Sequence, residues 1–227
     1  VGTNKNLINQ AQGLVGYWNF DDCTAKDLSG YGNNGTLVNG PTCVDGKVGK
    51  ALSFDGVDDY VDAGSNAILA LQRSITVLAW VYPTAPTLTY FRPFVAKYYT
   101  VNNRSYQLNV DEGYTSELLG QETFQFWISC CDGINRDHVE ASANRNEWQF
   151  VVGIYDYDNN KISISVNGNV KQTKMTTING IYTTNIPLFL GSNYNRYRFW
   201  QGLIDEVKIY NRALSDQEIK ALYEATK

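Results

Sequence analysis

The sequence predicts an all-β protein, an antiparallel sandwich of short strands closed by one C-terminal helix. Three observations carry this. Short runs with apolar residues at every second position recur along the chain, punctuated by Gly, Asn, Asp and Pro. Aromatic residues are abundant, with 16 Tyr and 5 Trp, and such side chains favour a pleated surface. Helical spacing is convincing only near the end, where Ser215 and Glu218 form a capping box and Ile219, Leu222 and Tyr223 make one apolar stripe. Many strands before one late helix imply two antiparallel sheets packed face to face.

The elements follow in order. Residues 1–12 are a polar lead-in, and 13–227 are read as one domain, because no repeat, low-complexity tract or linker divides them. Gly13–Asp22 is a first strand ending in two acids. Cys23–Asn39 is a structured loop rich in Asp, Ser, Gly and Asn, residues that bond their own backbone and tolerate positive φ. Its glycines lack the spacing of a phosphate cradle. Gly49–Phe54 and Asp59–Ala63 are short strands around a turn. Ser74–Tyr82 is a continuous apolar run, a central strand packed on both faces and ended by Pro83. Phe94–Tyr98, Tyr106–Val110 and Thr123–Ser129 follow. Glu147–Tyr155 places Trp148, Phe150, Val152 and Ile154 in one row. Lys161–Val166 leads into Asn167-Gly168, the signal of a type I′ hairpin turn. Pro187–Gly191 and Leu203–Tyr210 complete the strands.

Composition narrows the function. A net charge of −4 offers no electrostatic footprint for nucleic acid or an acidic membrane surface. No run approaches the ~18 apolar residues of a membrane helix. The chain begins at Val1 without a signal peptide and is read as a mature or excised segment. The cysteines are Cys23, Cys43, Cys130 and Cys131, and the one histidine is His138, which argues against a Cys/His zinc site. An even cysteine count fits a secreted protein with disulfides. A Cys23–Cys43 bond would close a loop of about 20 residues, contributing roughly 3 kcal/mol by the chain-entropy model; the alternative is two buried thiols. Cys130 and Cys131 are adjacent and form a vicinal disulfide, stay reduced or pair elsewhere.

Asp205 stands out. In Gly202–Tyr210 the odd row holds Leu203, Val207 and Ile209, and Asp205 is its fourth member. A carboxylate in a core-facing row needs compensation by a metal ion, a basic side chain or backbone N–H groups. The blander reading is an Asp at a frayed strand end. Asp and Asn in the loops favour a hard cation such as Ca2+.

Three stretches together resemble a known family. GLVGYWNFDD, DLSGYGNNGTLVNGP and VDGKVGKALSFDGVDDYVDAG are similar to the laminin-G-like jelly-roll domains of the concanavalin A-like lectin/glucanase superfamily. ITVLAWVYP, NEWQFVVGIYD, ISISVNG and GLIDEVKIYNRALSDQEIKALY resemble its later strands. The likeness runs from about Gly13 to the end. It implies a two-sheet jelly roll, a structural calcium near the chain ends, and a secreted or cell-surface protein, often a carbohydrate-binding or adhesion module. Carried onto this sequence, the metal ligands would be Asp21, Asn33, Asn34 and Asp205, with backbone carbonyls. The cysteines depart from the family pattern.

A sugar-binding face needs flat aromatic rings beside planar hydrogen-bonding groups. Candidates are Tyr98 and Tyr99 with Arg104 and Tyr106; Trp127 with Asp132; and Tyr194, Tyr197 and Arg198. Trp200 is assigned to the core. A glycosidase needs two facing acids, and the ExDxxE pattern of the glucanases does not occur; the pairs Asp58-Asp59 and Asp111-Glu112 would point to opposite faces of a strand. The expectation is therefore a non-catalytic, monomeric, calcium-stabilised lectin-like module that binds a glycan or polysaccharide. The alternative is a structural or adhesive domain with protein partners, and a glycoside hydrolase or lyase has less support.

Overall fold

The computed structural model describes residues 11–84, 91–98, 104–112, 118, 120–130, 135–193 and 198–227. Their strands are, in order, β1 (Leu14–Trp18), β2 (Thr36–Val38), β3 (Thr42–Asp45), β4 (Lys50–Asp55), β5 (Tyr60–Asp62), β6 (Ile75–Pro83), β7 (Arg92–Tyr98), β8 (Arg104–Glu112), β9 (Glu122–Ser129), β10 (Arg136–Ser142), β11 (Gln149–Asp156), β12 (Lys161–Val166), β13 (Asn169–Met175), β14 (Phe189–Leu190) and β15 (Gln201–Tyr210). Helix α1 (Asp216–Thr226) ends the chain. The strands form two antiparallel sheets. The back sheet runs β13-β12-β11-β6-β15-β4-β3 with β1 also on β15, and the front sheet runs β10-β9-β8-β7-β14-β5-β2.

The inner faces share one core. Val77, Ala79 and Val81 of β6 and Val151 of β11 meet Leu108 of β8 and Phe124, Phe126 and Ile128 of β9. Trp200 belongs to this core, its ring 5.3 Å from Phe94. Strand β6 is packed on both faces, as its unbroken apolar run requires: Leu78 and Trp80 enter a second cluster behind the back sheet. There the row Phe150, Val152 and Ile154 of β11 meets Ile219 and Leu222 of α1, with Trp148 against the same cluster. The helix is held by the expected capping box and by a 2.9 Å bond from Trp80 Nε1 to Thr226 Oγ1. Among the described residues the front sheet's outer face carries no such cover of apolar side chains over β8, β9 and β10.

The hairpin at Asn167-Gly168 has positive φ at both residues, as a type I′ turn requires. Two readings change. The first strand stops at Trp18, and Phe20 and Cys23 take positive φ, so Asp21 and Asp22 sit in a turn. In β15 the core-facing residues are Ile204, Val207 and Ile209, so Leu203 is not on that face. The cause is a β-bulge: the register with β6 shifts between Asp205 and Lys208, and Glu206 adopts a φ of 52°. One extra residue reverses the phase of the alternation. Strands β2, β3, β10 and β13 were not legible, because Arg136–Ser142 buries only Val139, Glu140 and Ala141 and the edge strand β13 is largely exposed.

Candidate functional site

The outer face of the front sheet follows from strand alternation. In β8, Tyr106, Leu108 and Val110 turn to the core, which sends Ser105, Gln107, Asn109 and Asp111 outward. In β9, Phe124, Phe126 and Ile128 turn inward, leaving Thr123, Gln125, Trp127 and Ser129 outward. Pairing aligns the rows: Gln107 faces Trp127, which faces His138, and Asn109 faces Gln125, which faces Glu140. The result is a polar surface with a cleft of about 190 Å³ lined by Phe91, Tyr98, Arg104, Ser105, Gln107, Asn109, Asp111, Trp127 and Arg136, among others.

The cleft is built on an amide ladder. Gln107 Nε2 donates to Asn109 Oδ1 at 3.0 Å, Asn109 Nδ2 to Gln125 Oε1 at 3.3 Å, and Trp127 Nε1 to the same oxygen at 2.8 Å. The imidazole of His138 stacks on the Trp127 indole, with ring centroids 4.0 Å apart and planes 12° from parallel. Burial, and the nearby Lys174 charge, hold the His138 pKa below its ordinary value. Guanidinium groups lie over rings: Arg136 is 4.9 Å from the Trp127 centroid and Arg104 5.0 Å from that of Tyr98. Three buried polar atoms here have no hydrogen-bond partner, namely Arg104 Nε, Ser105 Oγ and Gln107 Oε1. A larger hollow of about 650 Å³ lies beside Asn144, Gln149, Asn167, Lys171 and Gln172, and among the described residues no aromatic ring lines it.

Of the residues expected to bind ligand, Tyr98, Arg104 and Trp127 are brought together in this cleft. Arg198 lies over Phe91, 5.6 Å from its centroid, and so borders it. Tyr106 instead faces the core, its hydroxyl donating to Leu69 O at 3.0 Å. Tyr99, Asp132, Tyr194 and Tyr197 lie outside the described residues, as does Cys131 and with it the Cys130-Cys131 pairing. Cys130 itself is buried. Arg136 and the amide row were missed. Their signal was present as polar residues at every second position opposite an unbroken apolar row.

A second constellation lies where β15 changes partner. Its first half pairs with β4 and its second half with β1. The bulge at Asp205-Glu206 falls at this junction, under the turn between β3 and β4. Val48 N donates to Asp205 Oδ2 at 2.9 Å, and Lys50 N donates to Asp21 Oδ1 at 2.9 Å, so both carboxylates rest on one turn. The turn needs its glycines: a Cβ on Gly49 would lie 1.9 Å from Asp21 Oδ1, and one on Gly46 2.7 Å from Asp205 Oδ2. Asp205 is fully buried, and its Oδ1 has no hydrogen-bond partner. Among the described residues no basic side chain pairs with it. Burial, with the neighbouring Glu206 charge, pushes its pKa up to about 7. Glu206 is engaged elsewhere, accepting from Tyr17 Oη at 2.8 Å and from Lys208 Nζ.

The bonds of Asn33 and Asn34 lead to Asp27 rather than to Asp205. Asp27 accepts from the backbone N–H of Tyr17, Ser29 and Asn33 at 3.0, 2.9 and 2.8 Å. Asn33 Nδ2 donates to Asp27 Oδ2 and Val15 O, and Asn34 Oδ1 accepts from Asp27 N. Burial alone would raise the Asp27 pKa, but these donors outweigh it and hold it low. A disulfide joins Cys23 to Cys43, with Cα atoms 5.3 Å apart, and ties this loop to β3. The trio Asp55, Asp58 and Asp59 also brings carboxylate oxygens within 4.8 Å of one another. Backbone N–H groups of Asp55, Val57 and Asp58 already bond to it.

Known structures share this architecture. Domain 4 of AbnA, a GH43 extracellular arabinanase from Geobacillus stearothermophilus solved in complex with arabinotriose, superposes with a TM-score of 0.72 at 20% identity, covering 92% of this chain and 98% of that one. The binding domain of Paraclostridial Mosquitocidal Protein 1 gives a TM-score of 0.75 at 18% identity, over 95% of this chain and 53% of that one. The binding domain of Botulinum Neurotoxin DC, solved in complex with SialylT, gives 0.70 at 14% identity, over 96% and 52%. The chain thus spans about half the length of the toxin binding domains. No curated protein matches it in sequence. The family model described as "Concanavalin A-like lectin/glucanases superfamily" matches residues 55–220, most of the chain, and the protein therefore belongs to that superfamily.

Proposed function

We propose that the protein is a non-catalytic carbohydrate-binding module that takes a glycan in the cleft on the front sheet. The observation that carries this is the pairing of half-buried rings, Tyr98 and Trp127, with buried polar atoms that lack partners at Arg104, Ser105 and Gln107. Unpaired polar atoms are costly unless a ligand completes them, and sugar hydroxyls are suited to do so. The arabinanase domain holding arabinotriose and the toxin domain holding SialylT support the same reading. The disulfide fits an extracellular setting, and no described helix is long and apolar enough to cross a membrane.

Hydrolysis has less support. Among the described residues the outward carboxylates of β8 and β10 are Asp111 and Glu140, on strands two apart and two residues offset. A glycosidase needs two carboxyl groups facing each other across the substrate. Glu140 is also buried.

A structural Ca2+ fits the junction at Asp205. The residues that would hold it are Asp205 and Asp21, with backbone carbonyls of the β3–β4 turn; Asn33 and Asn34 belong to the separate Asp27 cluster. The partnerless Asp205 Oδ1 is the donor such an ion would use, and oxygen-only ligation suits this hard cation. The ion would tie β1, the β3–β4 turn and β15 together. A glycan array run with calcium and repeated with chelator tests the whole reading. Selective binding that Trp127→Ala abolishes is the expected result. A blank array from folded, calcium-loaded protein would overturn it in favour of an adhesive domain with protein partners.

A further inference from the structure

We infer that the glycan carries an anionic group, seated at the end of the cleft formed by Arg104 and Arg136. The inference rests on the front-sheet binding site proposed above and names the chemistry of its ligand. Arg104 and Arg136 reach that end from β8 and β10, each lying against an aromatic ring. A ring under the flat face of a guanidinium fixes the plane and leaves the N–H edge for a ligand. Among the described residues neither arginine pairs with a carboxylate. Arg104 Nε is buried with no acceptor, and the fully buried Ser105 hydroxyl beside it is unbonded.

Charge is concentrated here against the balance of the chain. The protein carries a net charge of −4. Arg198 overlies Phe91 on the cleft wall, and Arg92, which faces Val110 towards the Asp111 end, has its pKa lowered by burial and by the Arg198 charge. Among the described lining residues the one carboxylate, Asp111, faces Thr123, while Arg136 faces Ser129. That separation along β9 is ~20 Å at the usual rise per residue. Among the described lining residues, Arg104 and Arg136 thus lie at the end away from Asp111. Two planar forks beside a hydroxyl match an anionic group with two or three acceptor oxygens. A sugar carboxylate and a sulfate ester share that chemistry, and Gln107 Oε1 is placed to accept from a neighbouring sugar hydroxyl.

Calorimetric titration of the calcium-loaded protein separates the cases. The probes are trigalacturonate, its methyl ester, a sulfated galactan oligomer and neutral arabinotriose. At least one anionic probe is expected to bind tenfold or more tightly than the neutral ones, with affinity falling as salt rises. Arg104→Gln and Arg136→Gln should each lose about tenfold or more on that probe, Arg136→Lys should lose less, and Arg73→Gln, an exposed arginine paired with Asp158 and absent from the cleft lining, should lose nothing. Melting curves of each variant confirm that it is folded. Whether the carboxylate or the sulfate probe responds identifies the group. Equal binding of neutral probes with no effect of the arginine variants would overturn the anionic inference and leave the glycan site standing. No binding of any saccharide would overturn both.

Discussion

The two outer faces of this sandwich are built from the same alternation and end in opposite chemistry. Behind the back sheet, Leu78, Trp80, Phe150, Val152 and Ile154 are covered by a helix whose Ile219 and Leu222 complete a dry cluster. On the front sheet the corresponding outward row is Ser105, Gln107, Asn109, Gln125, Trp127 and His138, knitted by amide hydrogen bonds. The first face is covered within the chain, with one buried hydroxyl, Ser165 Oγ, left unbonded beneath the cover. The second leaves three such atoms, on Arg104, Ser105 and Gln107, beside an open cleft, and that difference marks where the fold is available to a ligand. Stability should therefore be concentrated on one face and recognition on the other.

The largest expected effect tests that division directly. Trp80→Ala removes a buried indole and its bond to Thr226, and should cost about 3–5 kcal/mol. It should leave the glycan affinity of the folded fraction unchanged. Trp127→Ala should do the reverse, costing about 1 kcal/mol of stability and abolishing binding. Denaturant titration alongside calorimetry checks both; equal stability losses would erase the contrast between the faces.

A similar contrast holds between two carboxylates. Asp27 is bonded to three backbone N–H groups, whereas Asp205 has one oxygen unpaired. The folded pKa of Asp205, about 7, lies above its unfolded value, so without metal the protonated form stabilises the fold. That contribution is fully present below about pH 4 and is lost as the pH rises through about 7, a change of roughly 3–4 kcal/mol. In chelator the melting temperature should fall from pH 5 to pH 8, and calcium should flatten the profile. Asp205→Asn should stabilise the metal-free protein at pH 8 while removing its calcium response. A calcium shift that survives the substitution would place the ion elsewhere. Asp27→Ala orphans buried donors and should cost about 3 kcal/mol, with the calcium-induced shift in melting temperature retained; loss of that shift would join the two clusters into one metal site.

Much of the fold was legible because local signals agreed. The apolar run of β6, the Asn167-Gly168 turn and the Ser215–Glu218 capping box each specified their element without help from distant residues. The phase of β15 was not legible. A bulge at Glu206 depends on β15 leaving β4 for β1, a pairing between residues far apart in sequence. The same limit hid half of the cleft. Tyr98, Arg104 and Trp127 could be chosen by type, but Arg136 joins them only because β10 pairs with β9, and β10 has too few apolar residues to declare itself. Asn34 offered an oxygen for a metal, yet Asp27 N, seven positions away, donates to it, while Asn33 turns its N–H groups to Asp27 and keeps a buried Oδ1 without a partner.

The measurement that bears most directly on the central claim is a nuclear magnetic resonance titration of the indole N–H signals with the glycan selected on the array. The chain has 5 Trp, and the indoles of Trp18, Trp80 and Trp200 are buried. Trp127, assigned by loss of its signal in Trp127→Phe, lies in the front-sheet cleft with its N–H on Gln125. The account predicts that its resonance shifts progressively with glycan while those of Trp18, Trp80 and Trp200 stay fixed. A bound glycan that leaves Trp127 unmoved, or that shifts Trp80 behind the back sheet instead, would contradict it.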